Sequence, residues 1–134
     1  MQTNIPVADR RLNTSTQRGK AAEMRAVAWL IEAGFEVMLP ASDDTVVDIV
    51  YRRINMKGKN GPWLSAQVKR VYDKNGHPTC NLTRSNGERY HKDDFDFLFA
   101  VSEDKMWAIP AAHVTPFSRL RLAKKWDYFV KVLR

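Results

Sequence analysis

A carboxylate stands in the middle of the most strand-like run of the chain: Asp48 lies between Val46-Val47 and Ile49-Val50 in TVVDIVYRR. β-branched residues on both sides favour a packed, pleated strand. An unpaired charge buried in such a strand costs several kcal/mol. Asp48 must therefore hold a cation, accept hydrogen bonds, or sit at an open end of its strand, and any fold for this chain has to meet that condition.

The next run supplies a partner. INMKGKNGP carries Asn-Gly and Pro signals and predicts a hairpin loop, which makes LSAQVKRVY, residues 64 to 72, the returning strand. Alternation sends Leu64, Ala66 and Val68 to one face and Ser65, Gln67 and Lys69 to the other. Taken alone, the Gln67-Val68-Lys69 triplet is accounted for by a solvated polar face. Across a hairpin, however, Asp48 and the Gln67/Lys69 pair come to one face near a bend.

Upstream, Ser15 or a neighbouring Thr can cap a helix over QRGKAAEMRAVAWLIEA, and Gly34 sits where a helix-ending glycine belongs. Its apolar stripe runs through Ala22, Ala26, Val27, Trp29, Leu30 and Ala33. Glu23 lies four residues before Val27 and seven before Leu30, at the edge of that stripe, where a carboxylate asks for a partner.

The rest of the chain reads mostly as strands. FEVMLP predicts a strand before the Asp48 run, YDKNGHP a second Asn-Gly turn, PTCNLTR a further strand and SNGERYHKDD a loop with room for a helical turn. FDFLFAVS and MWAIPA give two more strands, and residues 111 to 134 a short helix followed by a strand or helix. A chain of 134 residues, 44% hydrophobic, holds one core and not two. We expect one α/β domain over residues 14 to 134, preceded by a flexible basic arm at 1 to 13 whose Arg10 and Arg11 can reach a phosphate backbone.

Charge narrows the partner. Lys+Arg number 22 against 15 Asp+Glu, a net +7 that favours a polyanion. The basic residues are dispersed along the chain, which suits backbone tracking; Lys20, Arg70, Arg84 and Arg89, with Tyr90, are candidate DNA contacts. A lone cysteine, Cys80, excludes an internal disulfide framework and a Cys-rich zinc site. His77, His91 and His113 show no metal-ligand spacing. No apolar run approaches the ~20 residues that span a bilayer, so the expectation is a soluble intracellular, cytoplasmic protein without a membrane partner.

A carboxylate at the inner edge of a helix, a carboxylate in an apolar strand and a polar-x-Lys triplet on the adjacent strand are what phosphodiester hydrolysis needs. A hard divalent cation takes oxygen ligands, neutralises the phosphate and lowers the pKa of the attacking water. A lysine orients that water and offsets charge on the transition state.

GKAAE on the helix, VVDIV on the second strand and QVK on the third, in that order, resemble the PD-(D/E)XK nuclease superfamily, in the branch of archaeal Holliday-junction resolvases and group I intron-associated homing endonucleases. The resemblance covers roughly residues 17 to 110. RYHKDDFDFLFAVSEDKMWAIP also looks like the family's Tyr-x-x-x-Asp segment, Phe-Ala-Val strand and strand ending in Ile-Pro. It implies a restriction-endonuclease-like α/β core, with a mixed central β-sheet flanked by helices. It also implies an endodeoxyribonuclease using Mg²⁺ or Mn²⁺ and leaving a 5′-phosphate and 3′-hydroxyl.

By position, the resemblance makes Asp48 the central metal ligand, the Val68 carbonyl a neighbouring ligand, Lys69 the catalytic lysine and Glu23 the helix carboxylate that serves the metal. Gln67 stands where the family usually has Asp or Glu. An amide oxygen can ligate Mg²⁺ but brings no charge; the homing branch is known for a Gln-x-Lys version. Homing-type, site-specific double-strand cleavage is implied first. A Holliday-junction resolvase-like nuclease and a catalytically inactive DNA-binding module are the alternatives. Cutting double-stranded or branched DNA with so small a domain further implies a homodimer or homotetramer.

Overall fold

In the computed structural model, residues 14–42, 44–55, 57–84 and 86–133 are described; Arg10, Arg11 and the rest of the expected N-terminal arm lie outside them. Helix α1 spans Ser15–Glu32. Its cap is Thr14, in a reciprocal capping box: the Gln17 backbone N–H donates to Thr14 Oγ1 at 3.1 Å, and the Thr14 N–H donates to Gln17 Oε1 at 2.9 Å. The helix stops at Ala33, after which Gly34 takes a φ of +92° that a side chain would strain.

The strands are β1 (Phe35–Met38), β2 (Ile49–Arg53), β3 (Leu64–Arg70), β4 (Tyr72–Lys74), β5 (His77–Asn81), β6 (Phe97–Val101), β7 (Lys105–Pro110), β8 (Arg119–Arg121) and β9 (Val130–Val132). A short helix α2 (Ala111–Val114) follows β7, and a 3-10 segment covers Lys124–Phe129. Six strands form one mixed sheet in the order β1-β2-β3-β6-β7-β9, in which β3 and β6 are parallel and every other pair antiparallel. The expected α/β class with a mixed central sheet therefore holds.

The parallel β3–β6 pair needs a crossover connection, and β4 and β5 occupy it. They form a hairpin closed by Asn75-Gly76, with φ of +53° and +83°, between the paired Lys74 and His77. Two positive φ angles in a two-residue loop are what Asn-Gly supplies. β8 joins this hairpin to make a second, three-stranded sheet.

Both faces of the large sheet are covered. Ala22, Ala26 and Leu30 of α1 pack with Ile49, Tyr51, Ala66, Val68, Phe99, Val101 and Met106 on one face. Leu98, Ala100, Trp107 and Ile109 pack on the other with Cys80, Leu82, Tyr90, Phe95, Leu120 and Trp126. Burial on two sides explains why FLFAV reads as an unbroken apolar run. No helix among the described residues is long and apolar enough to cross a membrane.

Two expected strands are shorter than their sequence patterns. β2 begins at Ile49, so Asp48 precedes it. β3 ends at Arg70: the Val71 N–H still reaches the Val101 carbonyl at 2.8 Å, and Tyr72 then opens the strand that belongs to the second sheet.

Candidate active site

Asp48 meets its condition in two of the ways foreseen. It lies at the open end of β2, and its Oδ2 accepts the Val68 N–H at 2.8 Å. Its own N–H donates to the Ala66 carbonyl at 2.9 Å, continuing the β2–β3 pairing past Ile49↔Ala66 and setting Asp48 opposite Gln67. Burial pushes the Asp48 carboxyl above the usual carboxylate range; the Val68 N–H draws it down, Glu23 pushes it up, and Lys69 and Lys20 draw it down.

Glu23 reaches the same place from the helix. With Lys20 and Asp48 it lines a cleft of about 100 Å³ whose far wall includes Leu39, Pro40, Thr45 and Val47. The Glu23 side chain is 17% exposed, and its Oε1 lies 3.4 Å from Lys20 Nζ. Lys20, expected as a DNA contact, thus sits beside the two carboxylates and offsets part of their repulsion.

Gln67 departs from the solvated-face account. It is 7% exposed, because the β3 face it shares with Leu98 is covered by the second sheet. Its Nε2 donates to the Val68 carbonyl at 3.2 Å. A half-turn of the amide would present its oxygen instead, since the two ends of that group exchange donor for acceptor.

Lys69 projects toward residues 83 to 90. Its Nζ donates to the Thr83 carbonyl at 3.4 Å and lies 5.1 Å from the centroid of the Tyr90 ring. Tyr90, an expected DNA contact, offers little surface for one. The residue is 8% exposed and its ring packs edge-on against Phe95 at 5.4 Å, with Lys69 over its face.

Arg70, Arg84 and Arg89 are not among the residues lining the cleft. Arg84 Nη1 is 4.0 Å from Glu88 Oε2, and Arg89 Nη1 donates to the Pro116 carbonyl at 2.9 Å. The Arg70 guanidinium lies 5.9 Å from the Tyr72 ring. Arg18 and Arg25 were not selected from the sequence, although their spacing of seven puts them on one flank of α1.

The donor set fits a hard divalent cation. Glu23 and Asp48 share a cleft, and Val68, whose N–H holds Asp48, has a carbonyl that now accepts from the Gln67 amide; with that amide turned over, both residues would offer neutral oxygens of the kind such cations accept. Among the described residues no group of three or more His, Cys, Asp or Glu could hold a metal, so two carboxylates would need those neutral donors and water. Cys80 offers no rival chemistry: it is buried, and burial pushes its thiol up to about 12 against the pull of Lys69.

The chain is similar in fold to a solved structure of a bacterial homing endonuclease, I-Ssp6803I, with a TM-score of 0.69 and 22% identity over 84% of this chain and 80% of that one. At that identity the likeness is one of fold. No protein-family model and no curated protein matches the sequence.

Proposed function

We propose that this chain is a divalent-metal-dependent DNA endonuclease of the PD-(D/E)XK type that makes site-specific double-strand cuts in the homing manner, as a homodimer or homotetramer. The observation that carries this is the meeting of Glu23 and Asp48 in one cleft at the end of the β2–β3 pair, with Lys69 close enough to bias the Asp48 carboxyl. The fold likeness to a homing endonuclease supports it.

Glu23, Asp48, the Gln67 amide oxygen and the Val68 carbonyl would hold Mg²⁺ or Mn²⁺. Such a cation supplies charge neutralisation at the phosphate and a more acidic water. The protein residues contribute orientation and proton handling. The Val68 N–H fixes one Asp48 oxygen, so the carboxylate needs little reordering. Lys69 brings a compact ammonium that can donate to a phosphoryl oxygen or to the attacking water. Its resting contacts, a 3.4 Å carbonyl and an aromatic face, are weak enough to exchange for a phosphate.

A second account has its own observation. Gln67 Nε2 engages the Val68 carbonyl, which would suit a DNA-binding module that keeps the fold without cutting. Supercoiled plasmid and a labelled four-way junction, each with Mg²⁺, Mn²⁺ or EDTA and beside a Lys69→Ala control, separate the cases. Metal-dependent cutting that the control loses supports the nuclease, and preference for the junction would favour a resolvase-like activity. DNA binding without cutting under every metal condition would favour the binding module.

A further inference from the structure

The N-terminal half of α1 has a second cleft on its other side. At about 100° per residue, Lys20 and Glu23 fall on one flank of the buried Ala22–Ala26–Leu30 stripe, and Arg18 and Arg25 on the opposite one. Arg18 and Arg25 converge with Arg70, from the end of β3, on an open cavity of about 580 Å³ that Gln17 and Ser102 also line. Glu103, exposed, is the single acidic lining residue against three guanidiniums.

Neighbouring groups orient the guanidiniums of Arg25 and Arg70. Arg25 Nε donates to the Ser102 carbonyl at 3.1 Å, which leaves its terminal nitrogens for another acceptor, and Arg70 lies against the Tyr72 ring. Partial burial lowers the Arg70 pKa, as do the neighbouring charges of Arg18 and Arg25, while Tyr72 raises it. Crowding three cations around a polar cavity is unfavourable for the isolated domain and becomes favourable once an anion with several acceptor oxygens enters.

We propose that the Arg18–Arg25–Arg70 cleft is a binding site for a backbone phosphate of DNA distinct from the scissile one. Bidentate guanidinium contacts would fix the register of the strand, with no contact to base edges. Arg70 ends β3 two residues past Val68, whose N–H holds Asp48, so the arginine cleft and the carboxylates lie at the same end of the sheet on opposite flanks of α1, and a phosphate seated there would lie on the strand near the bond to be cut. This rests on the nuclease reading above and adds the site that aligns the substrate.

The test is DNA affinity in EDTA, over a series of salt concentrations, for the wild-type protein and for the Arg18→Gln/Arg70→Gln and Arg18→Lys/Arg70→Lys variants. Far-UV dichroism and melting confirm that each is folded. One lost phosphate contact should reduce the slope of log K against log salt by about 0.9. It should also weaken binding equally on unrelated duplexes, with partial recovery in the lysine pair. An unchanged slope in the folded glutamine pair overturns the proposal, as does a wild type that binds no duplex at low salt. Inorganic phosphate is the second probe: if it stabilises the wild type and not the glutamine pair while DNA affinity is unaffected, the cleft takes a free phosphate and the DNA assignment is wrong. Cutting is scored separately, so a slope change in a protein that never cuts would sink the nuclease reading alone.

Discussion

The backbone N–H of Val68 donates to Asp48 Oδ2 at 2.8 Å, joining β3 to the residue just ahead of β2 through a side chain where the ladder has ended. One carboxylate oxygen is thereby fixed by the backbone of the residue whose carbonyl is itself a candidate metal ligand. Orientation of the candidate site is set by the sheet.

Asp48→Asn should separate stability from activity. A carboxyl whose folded pKa lies above its unfolded value contributes stability that is fully present below the ordinary 3.8 and lost as pH rises through the folded value, so ionised Asp48 weakens the fold at neutral pH. Asparagine keeps an acceptor for the Val68 N–H and removes that charge. The variant should melt at the same temperature or higher at neutral pH, with the advantage vanishing toward the acid end, and should cut at least about 100-fold more slowly. A clear fall in melting temperature at neutral pH would contradict the electrostatic account.

Lys69→Arg should fail nearly as completely as Lys69→Ala, because a planar guanidinium cannot occupy the place of a compact ammonium between Thr83 and Tyr90. DNA binding in EDTA should fall by less than about tenfold in either variant. Normal cutting by the arginine variant would remove Lys69 from the chemistry.

If Lys69 acts in the chemistry as proposed, the Tyr90 ring 5.1 Å from its Nζ should position it. Tyr90→Leu removes a cation–π contact of about 0.5–1 kcal/mol, which predicts a two- to fivefold lower kcat at nearly constant KM. Tyr90→Phe, keeping ring and packing, should restore the rate. Equal losses in both variants would assign the effect to the hydroxyl instead.

Gln67→Glu places a third carboxylate, 7% exposed, opposite Asp48. Without metal it should destabilise the fold by about 3 kcal/mol, read as a lower denaturant midpoint in EDTA. Mg²⁺ or Mn²⁺ should return much of that loss. No metal-dependent recovery would show that Gln67 does not face a cation.

Gly76→Ala tests the hairpin within the crossover. At a φ of +83° an added Cβ meets no neighbour, so the cost is backbone strain alone, about 1–2 kcal/mol. A urea midpoint at the wild-type value would mean that this turn relaxes freely.

What could be read from the sequence follows the range of the forces involved. Helix α1, its glycine stop and the Asn75-Gly76 hairpin were legible because capping and turn chemistry act within a few residues. Asp48 was legible because a charge among β-branched neighbours is costly in any fold. The burial of Gln67 was not, since it depends on the second sheet lying over β3. Tyr90 escaped for the same reason: its loop setting looked exposed, and only Phe95 and the adjoining core bury it. Arg18 and Arg25 carried a local signal in their spacing, but their convergence with Arg70 needs the β3–α1 packing to be seen.

The parallel pairing of β3 with β6 also orders events in time. β3 is flanked by β2 on one side and by a strand beginning at Phe97 on the other. During synthesis Glu23, Asp48, Gln67 and Lys69 all leave the ribosome before Phe97 does. A nascent chain therefore holds every proposed catalytic group while β3 lacks one edge partner and the sheet over Gln67 still lacks β8. Long-range closures of this kind come late in folding. The cleft's own lining, from Lys20 to Asp48, is complete early, but the strand that holds Asp48 through Val68 gains its second partner only with β6; on the nuclease reading, truncated products ending before Phe97 should fail to nick DNA even though they contain the complete residue set.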